Sequence, residues 1–368
     1  MRYRRFGKTE LLISVFSLGT MRCLGSAELL QQVLAISIKR GINHIETARG
    51  YGHSERYIGQ ALHHFNRSDL VLTTKLLPGC DVDRLIDESL ARLDTDYIDC
   101  LAVHGVNTLE HLQQVQAMIP ELTRVLDDGR VRNVGASSHG PLDVVMTAIA
   151  LPIISFINLH YYFFNQRNAA AIELAHQRDL GILIISPADK GGQLYTPPEK
   201  LKNLCDPFDP LLLTYRWLLS DPRITTLSIG PAIPNELDWP LQVANNTHAL
   251  TAQERATLNR LDNAQRQALG LDHCHQCNQC LPCPESINIP EVLRLRNLAV
   301  GLDMQSFGQY RYGMFERAGH WFPGHKGNRC TNCGDCLSRC PAQIDIPTLL
   351  HDTHTRLKGF DRRRLWSD

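Results

Sequence analysis

Short apolar and β-branched runs recur along the chain: VFSLG (15–19), INHIETA (42–48), LVLTTK (70–75), YIDCLAVH (97–104), VRNVGASS (131–138), ISFINLHY (154–161), GILIISP (181–187) and TTLSIG (225–230). Runs that stay apolar instead of alternating read as strands buried on both faces, the habit of a parallel sheet. Between them the period changes. AELLQQVLAISIKR (27–40), VDRLIDESLARL (82–93) and AAAIELAHQRD (169–179) set apolar residues three and four apart, which predicts amphipathic helices. Eight strands, each followed by a helix, predict an α/β fold of the (β/α)8, or TIM, barrel type, whose usual size is about 250 residues. The opening RYRRFGKTELLIS suits a short hairpin ahead of the first barrel strand. A doubly wound open sheet is the alternative, but no GxGxxG follows any of these runs.

The pattern changes near NAQRQALGLDH (263–273), a polar stretch expected to be a linker. It divides the chain into a barrel over 1–265 and a smaller domain over 266–368. Eight of the twelve cysteines lie beyond it, in two runs. CHQCNQCLPCP carries Cys274, Cys277, Cys280 and Cys283 as C-x2-C-x2-C-x2-C-P. CTNCGDCLSRCP carries Cys330, Cys333, Cys336 and Cys340 as C-x2-C-x2-C-x3-C-P. The second spacing is that of bacterial ferredoxins, in which close thiolates grip the irons of a [4Fe-4S] cubane. Zinc is the alternative, but zinc sites usually join two separated pairs. In two-cluster ferredoxins the fourth cysteine of each run serves the other cluster. That rule groups Cys274, Cys277, Cys280 and Cys340 in one set, and Cys330, Cys333, Cys336 and Cys283 in the other. PEVLRLRNLAV (290–300), between the runs, predicts a helix, so the smaller domain reads as mainly α-helical and ferredoxin-like. The aromatic stretch QYRYGMFERAGHWF (309–322) would either shield a cluster or simply pack a core.

Charge and composition narrow the function. With 38 basic and 38 acidic side chains the net charge is zero, which argues against a nucleic-acid-binding face. No run is long and apolar enough for a membrane span, and the N-terminus has no continuous apolar segment of a signal peptide. A cytoplasmic protein is expected, and there cysteines serve as ligands more often than as disulfides.

In a (β/α)8 barrel the chemistry gathers where strands end and loops begin. Strand two ends in IETARGYGHSE, with Glu46, Tyr51 and Glu55; strand three ends at Lys75 and strand four at His104. Alone, each has an ordinary reading as a surface lysine or a satisfied strand-end histidine. Together with SLGTM and the YG-x-SE motif, the set resembles the aldo-keto reductases, in particular those with a C-terminal ferredoxin-type domain. That resemblance implies Tyr51 as general acid, Lys75 as the tuner of its pKa, His104 as the carbonyl-positioning group and Glu46 as the acid paired with Lys75. A phenol with a pKa near 10 is a poor donor at neutral pH unless a nearby ammonium stabilises its phenolate. The family usually has aspartate where this chain has Glu46, so carbonyl reduction is expected to be weakened or the site retuned.

The same resemblance implies a nicotinamide dinucleotide, NADP or NAD. Ser137, Ser138 and Asn158 would meet the carboxamide, and Tyr162 or Tyr161 would stack on the ring. Ser186, Lys190 and Gly191, in SPADKGG, would lie along the pyrophosphate. No lysine or arginine falls between Arg223 and Arg255, where members selective for NADPH carry basic residues, although a helix start near Pro234 could take a phosphate. The leading expectation is an oxidoreductase coupling a small-molecule carbonyl or alcohol site to two [4Fe-4S] clusters. A redox partner such as ferredoxin or flavodoxin could dock at Arg362, Arg363 and Arg364; no nucleic acid and no membrane are expected. The alternatives are a reductase with purely structural or sensing clusters, and a non-catalytic electron carrier with a vestigial barrel.

Overall fold

The computed structural model describes residues 1–246 and 248–359, so the Arg362–Arg364 run lies outside the described residues. A hairpin opens the chain, β1 (Tyr3–Arg5) antiparallel to β2 (Leu12–Ser14). Each of the eight apolar runs then contains a strand: β3 (Phe16–Gly19), β4 (His44–Glu46), β5 (Val71–Leu76), β6 (Cys100–Val103), β7 (Val134–Ser137), β8 (Phe156–Leu159), β9 (Gly181–Ile185) and β10 (Thr226–Ile229). They pair in parallel and in sequence, and β10 returns to β3, closing the barrel. The open-sheet alternative is thereby excluded.

Helices α1 (Ala27–Lys39), α2 (Ser54–Leu62), α3 (Val82–Leu93), α4 (Leu109–Asp127), α5 (Leu142–Ala150) and α6 (Ala169–Gln177) follow successive strands. Several begin on side-chain caps: Ser26 accepts from Leu29 N–H, Asp81 from Arg84 N–H and Thr108 from His111 N–H. The hairpin plugs the bottom of the barrel. Phe6 and Ile13 join Val71, Cys100, Phe156 and Leu183 in one apolar cluster, with the Phe6 and Phe156 rings 5.3 Å apart. Gly181 is required here, because a Cβ would sit 2.2 Å from the Phe6 ring.

The chain forms two compact units, 1–191 with 214–249 and 192–213 with the described residues from 250 on. The second contains α7 (Glu199–Cys205), α10 (Ala252–Leu269), α11 (Ile289–Leu302), α12 (Gln305–Tyr312) and α13 (Ile346–Leu357); α8 (Pro210–Ser220) and the short α9 (Asp238–Leu241) precede α10. Residues 263–273 are not a linker. Residues 263–269 complete α10 and Gly270–Asp272 form a 3₁₀ turn. The glutamines and arginines that made the stretch look like a linker lie mostly on the wet side of an amphipathic helix, whose buried side holds Thr257, Leu258, Leu261 and Leu269.

Helix α11 is buried on nearly every side and carries polar residues inward, which local ion pairs permit. Glu291 pairs with Arg294 at 2.6 Å and Arg296 with Asp352 at 2.8 Å. The aromatic stretch packs into its own core: Phe315 and Phe322 rings lie 4.6 Å apart, with Tyr312 edge-on to Phe315. None of these aromatics lines the space enclosed by the cysteines.

The second unit is an internal repeat. CPESINIPEVL (283–293) matches CPAQIDIPTLL (340–350) at an offset of 57 residues, whereas the three cysteines before each match at 56. The one-residue difference lies between the third and fourth cysteines, CLPC against CLSRC. Asn288 and Asp345 cap α11 and α13 in the same way, each with proline at the second helical position.

Candidate active site and metal centres

The barrel interior is built in layers of period two. Ser17, His44, Thr73 and Thr226 form a buried polar layer: His44 Nδ1 lies 2.6 Å from Ser17 Oγ, His44 Nε2 lies 2.7 Å from Thr73 Oγ1, and Ser17 Oγ lies 2.7 Å from Thr226 Oγ1. Burial pulls the His44 pKa down to about 4, leaving a neutral ring between hydroxyls. Two residues further along the same strands stand Gly19, Glu46, Lys75 and Ser228, the layer at the barrel mouth.

Here the expected tetrad comes together. Lys75 and Glu46 are 2 % and 4 % exposed and form an ion pair through Nζ and Oε1. Lys75 Nζ also donates to the Thr47 carbonyl at 2.7 Å and lies 4.9 Å from the centre of the Tyr51 ring. Burial alone would pull the lysine pKa down, yet the attractions of Glu46 and Tyr51 outweigh it and the net shift is upward. His104 is buried after β6, edge-on to Tyr51 with ring centres 5.8 Å apart. Tyr51 sits in the turn before α2, closed by Tyr51 N–H to Ala48 O at 2.9 Å. That turn is pinned by a cluster of hydroxyls, Ser54 Oγ lying 2.7 Å from both Thr20 Oγ1 and Thr47 Oγ1. Glu55 is drawn away from the site: Thr74 Oγ1 donates to its Oε1 at 2.7 Å, tying α2 to β5.

The longer acid at position 46 is accommodated by two residues the sequence did not single out. Ser228 Oγ donates to Glu46 Oε2 at 2.8 Å, while Oε1 faces Lys75. Gly19 provides the room, since a Cβ there would lie 2.8 Å from Ser228 Oγ and 3.4 Å from Glu46 Oε2. Their only sequence signal is position, each at or near the end of a barrel strand.

The expected nucleotide residues fare unequally. Asn158 is wholly buried, and neither its amide nitrogen nor its oxygen has a hydrogen-bond partner, an arrangement that fits a carboxamide ligand. Ser137 Oγ accepts from Gly105 N–H at 2.9 Å; Ser138 Oγ donates to Val106 O at 2.6 Å and accepts from Gly140 N–H at 3.1 Å. Both serines thus already hold loops together. Ser186, left-handed at φ 50°, follows β9, and Lys190 N–H closes the next turn onto Ser186 O at 3.0 Å. Gly191 is needed inside that turn, where a Cβ would meet Pro187 O at 2.0 Å. The start near Pro234 is only a four-residue 3₁₀ turn, and the neighbouring Ala232 N–H already donates to Glu236 Oε2 at 2.9 Å, so a carboxylate holds the place proposed for a phosphate.

Tyr161 tilts against Trp217, ring centres 5.2 Å apart. Tyr162 belongs to a chain that sequence reasoning missed. Its hydroxyl donates to Ile185 O at 2.5 Å and also meets His160 Nδ1, and His160 Nε2 lies 2.7 Å from His139 Nδ1. Because a carbonyl only accepts, Tyr162 donates to Ile185 O and its hydroxyl oxygen accepts from His160. His139 and His160 stand two residues beyond Ser137 and Asn158, so the period of the strand was the available signal.

In the second unit, Cys340 lines the same cavity as Cys274, Cys277 and Cys280, about 370 Å³ in volume. Cys283 lines the other, about 320 Å³, with Cys330, Cys333 and Cys336. Among the described residues no three His, Cys, Asp or Glu side chains converge as ligands of a single metal ion, while the eight thiols fall four to a cavity, the donor set of a [4Fe-4S] cluster. Burial pushes the Cys274 and Cys336 thiols up and the Cys280 thiol up to about 12, so ionisation there calls for a bound cation.

A model of the aldo/keto reductase family matches residues 16–263, about two-thirds of the chain. The chain belongs to the aldo/keto reductase family. A second model, a 4Fe-4S dicluster domain, matches residues 273–345. The "Uncharacterized oxidoreductase YqkF" of Bacillus subtilis (strain 168) is 27 % identical over 294 residues, covering 69 % of this chain and 94 % of that protein. Morphine 6-dehydrogenase of Pseudomonas putida is 30 % identical over 203 residues, covering 51 % and 66 %. The holo form of the aldo-keto reductase AKR11C1 from Bacillus halodurans superposes with a TM-score of 0.63 at 23 % identity, over 71 % of this chain and 96 % of that one, a likeness of fold. This aldo/keto reductase is therefore an oxidoreductase with a C-terminal 4Fe-4S dicluster domain. Among its described residues no helix is long and apolar enough to cross a membrane.

Proposed function

We propose that this aldo/keto reductase couples a nicotinamide-dependent carbonyl or alcohol site at the barrel mouth to two [4Fe-4S] clusters. The observation that carries the reading is the convergence of Tyr51, the buried Lys75–Glu46 pair and His104 on one rim. Tyr51 gives its proton to the carbonyl oxygen in reduction and takes it back in oxidation. Lys75 favours the phenolate through its charge, and Glu46 keeps that charge on a buried amine. Ser228 holds the free oxygen of Glu46, and His104 orients the substrate oxygen. A nicotinamide bound there would supply or accept a hydride, and each cluster would exchange one electron. Asn158 would read the carboxamide, aided by Ser137 and Ser138, while Ser186, Lys190 and Gly191 would flank the pyrophosphate. Cys274, Cys277, Cys280 and Cys340 would hold one cluster; Cys330, Cys333, Cys336 and Cys283 would hold the other. Turning a hydride into single electrons calls for a flavin-type mediator, which a flavodoxin partner would bring, whereas a ferredoxin partner would exchange single electrons with the clusters.

The test is anaerobic purification of the whole chain, addition of NADPH or NADH, and detection of the clusters by absorbance and electron paramagnetic resonance. Cluster reduction by either nucleotide, alone or with such a mediator, is the expected result. Clusters that dithionite reduces but nucleotide and mediator together leave oxidised would refute the coupling.

A further inference from the structure

The repeat lets the two cysteine cavities be compared position against position. Pro290 and Leu293 of α11 close the first, and their equivalents Pro347 and Leu350 of α13 close the second. Ile346 and Ile289 are exchanged in the same manner. Exposure repeats as well: Cys277 and Cys333 are exposed, Cys280 and Cys336 buried, and the other four half-buried. Even the left-handed backbone positions correspond, Gln276 and Asn278 in the first run with Asn332 and Gly334 in the second. Solvent exposure, one of the factors that set a cluster's potential, thus falls in the same class at each pair of equivalent thiols.

Charge is not matched. Glu285 and Asp335 line the second cavity, with Arg339. The first cavity has Ala342 where the second has Glu285, and Gln279 stands at the position equivalent to Asp335. No acidic residue lines the first cavity. Arg339, in the same lining as the two acids, offsets one of their charges, which leaves the second lining at −1 (−2 from Glu285 and Asp335, +1 from Arg339) while the first holds no Asp, Glu, Lys or Arg. Arg339 Nε donates to the Asp335 backbone oxygen and its guanidinium to Pro282 O, both at 2.9 Å, and it forms no ion pair with either carboxylate. Reduction adds one electron, and so one negative charge, to a cluster without making or breaking a bond. Nearby carboxylates oppose that step.

We propose that the two clusters have different reduction potentials: the one held by Cys274, Cys277, Cys280 and Cys340 takes the first electron, and Glu285 and Asp335 delay the other. The proposal rests on the cluster reading above, and it gives electron storage in this protein a fixed order.

The test is a dithionite titration of the full, anaerobically reconstituted chain, monitored by electron paramagnetic resonance. Two one-electron waves are expected, separated by at least a tenfold preference, which is about 59 mV for a one-electron couple. Glu285→Gln with Asp335→Asn should raise the lower wave and leave the upper in place. Ala342→Glu, which puts an acid into the first cavity, should lower the upper wave instead, and it tests the proposal independently if the first variant folds poorly. Two clusters sharing one potential, or substitutions that move the wrong wave or both equally, would overturn the proposal alone. Failure of the chain to bind iron would overturn the cluster reading, and the proposal with it.

Discussion

Replacing Glu46 by glutamine tests the tetrad at its most buried point. The amide can turn its oxygen to Lys75 and its NH2 to Ser228 Oγ, but it brings no negative charge to balance the ammonium. Lys75 is 2 % exposed and is left with the Thr47 carbonyl and Tyr51 as polar neighbours. Removing one member of a buried ion pair costs about 3–5 kcal/mol, because the other charge stays behind. Urea unfolding at pH 7, followed by circular dichroism and tryptophan fluorescence with the transitions of the two units fitted separately, should show a barrel weakened by that amount. The pH dependence carries a second signature. In the wild type the folded Lys75 pKa lies above its ordinary 10.5, so the pair's stabilisation is present below pH 10.5 and lost as pH rises through the folded value. With glutamine, burial is the largest influence left and drives the pKa below 10.5. Stability should then rise with pH up to about 10.5, opposite to the wild type. A variant that loses less than about 1 kcal/mol at pH 7 and keeps the wild-type slope would refute the buried-pair argument.

Burial depresses the folded His44 pKa to about 4 from 6.5, so its contribution is whole above pH 6.5 and about 3 kcal/mol is lost as pH falls towards 4; His44→Gln should flatten that window in acid unfolding. Asn158→Leu removes two buried polar atoms that lack partners, so the nucleotide-free protein should gain about 1–3 kcal/mol while nucleotide binding weakens at least tenfold by calorimetry; a destabilised variant, or unchanged binding, contradicts this reading. Cross-ligation predicts non-additivity in iron content. Cys274→Ser with Cys340→Ser should lose one cluster, as either single variant does, whereas Cys274→Ser with Cys283→Ser should lose both; the reverse pattern would mean that each run serves its own cluster.

The strands, the hairpin and the cysteine runs were legible because each is set by the geometry of a few consecutive residues. Apolar runs such as LVLTTK, and thiols three residues apart, state their own environment. The strand-end positions of Glu46, Lys75 and His104 were equally readable, since a barrel strand aims its C-terminal residues at one rim. The polar stretch 263–273 misled because one wet face of a helix and a linker have the same composition over a few turns; only burial of Leu261 and Leu269 separates them.

Local pattern along the chain was therefore enough to specify the kinds of element, the rim residues and the eight thiols. Tertiary structure decided which of them meet. Ser228 reaches Glu46 across 182 residues because closure sets β10 beside β3, which in turn sits beside β4, and closure is a property of all eight strands together. Cys340 joins the first three cysteines because two copies of one helix-starting motif pack about each other. The unpartnered amide of Asn158 exists only once every neighbouring group has been used. Local pattern fixes what a residue can do, and long-range closure fixes what it does it with.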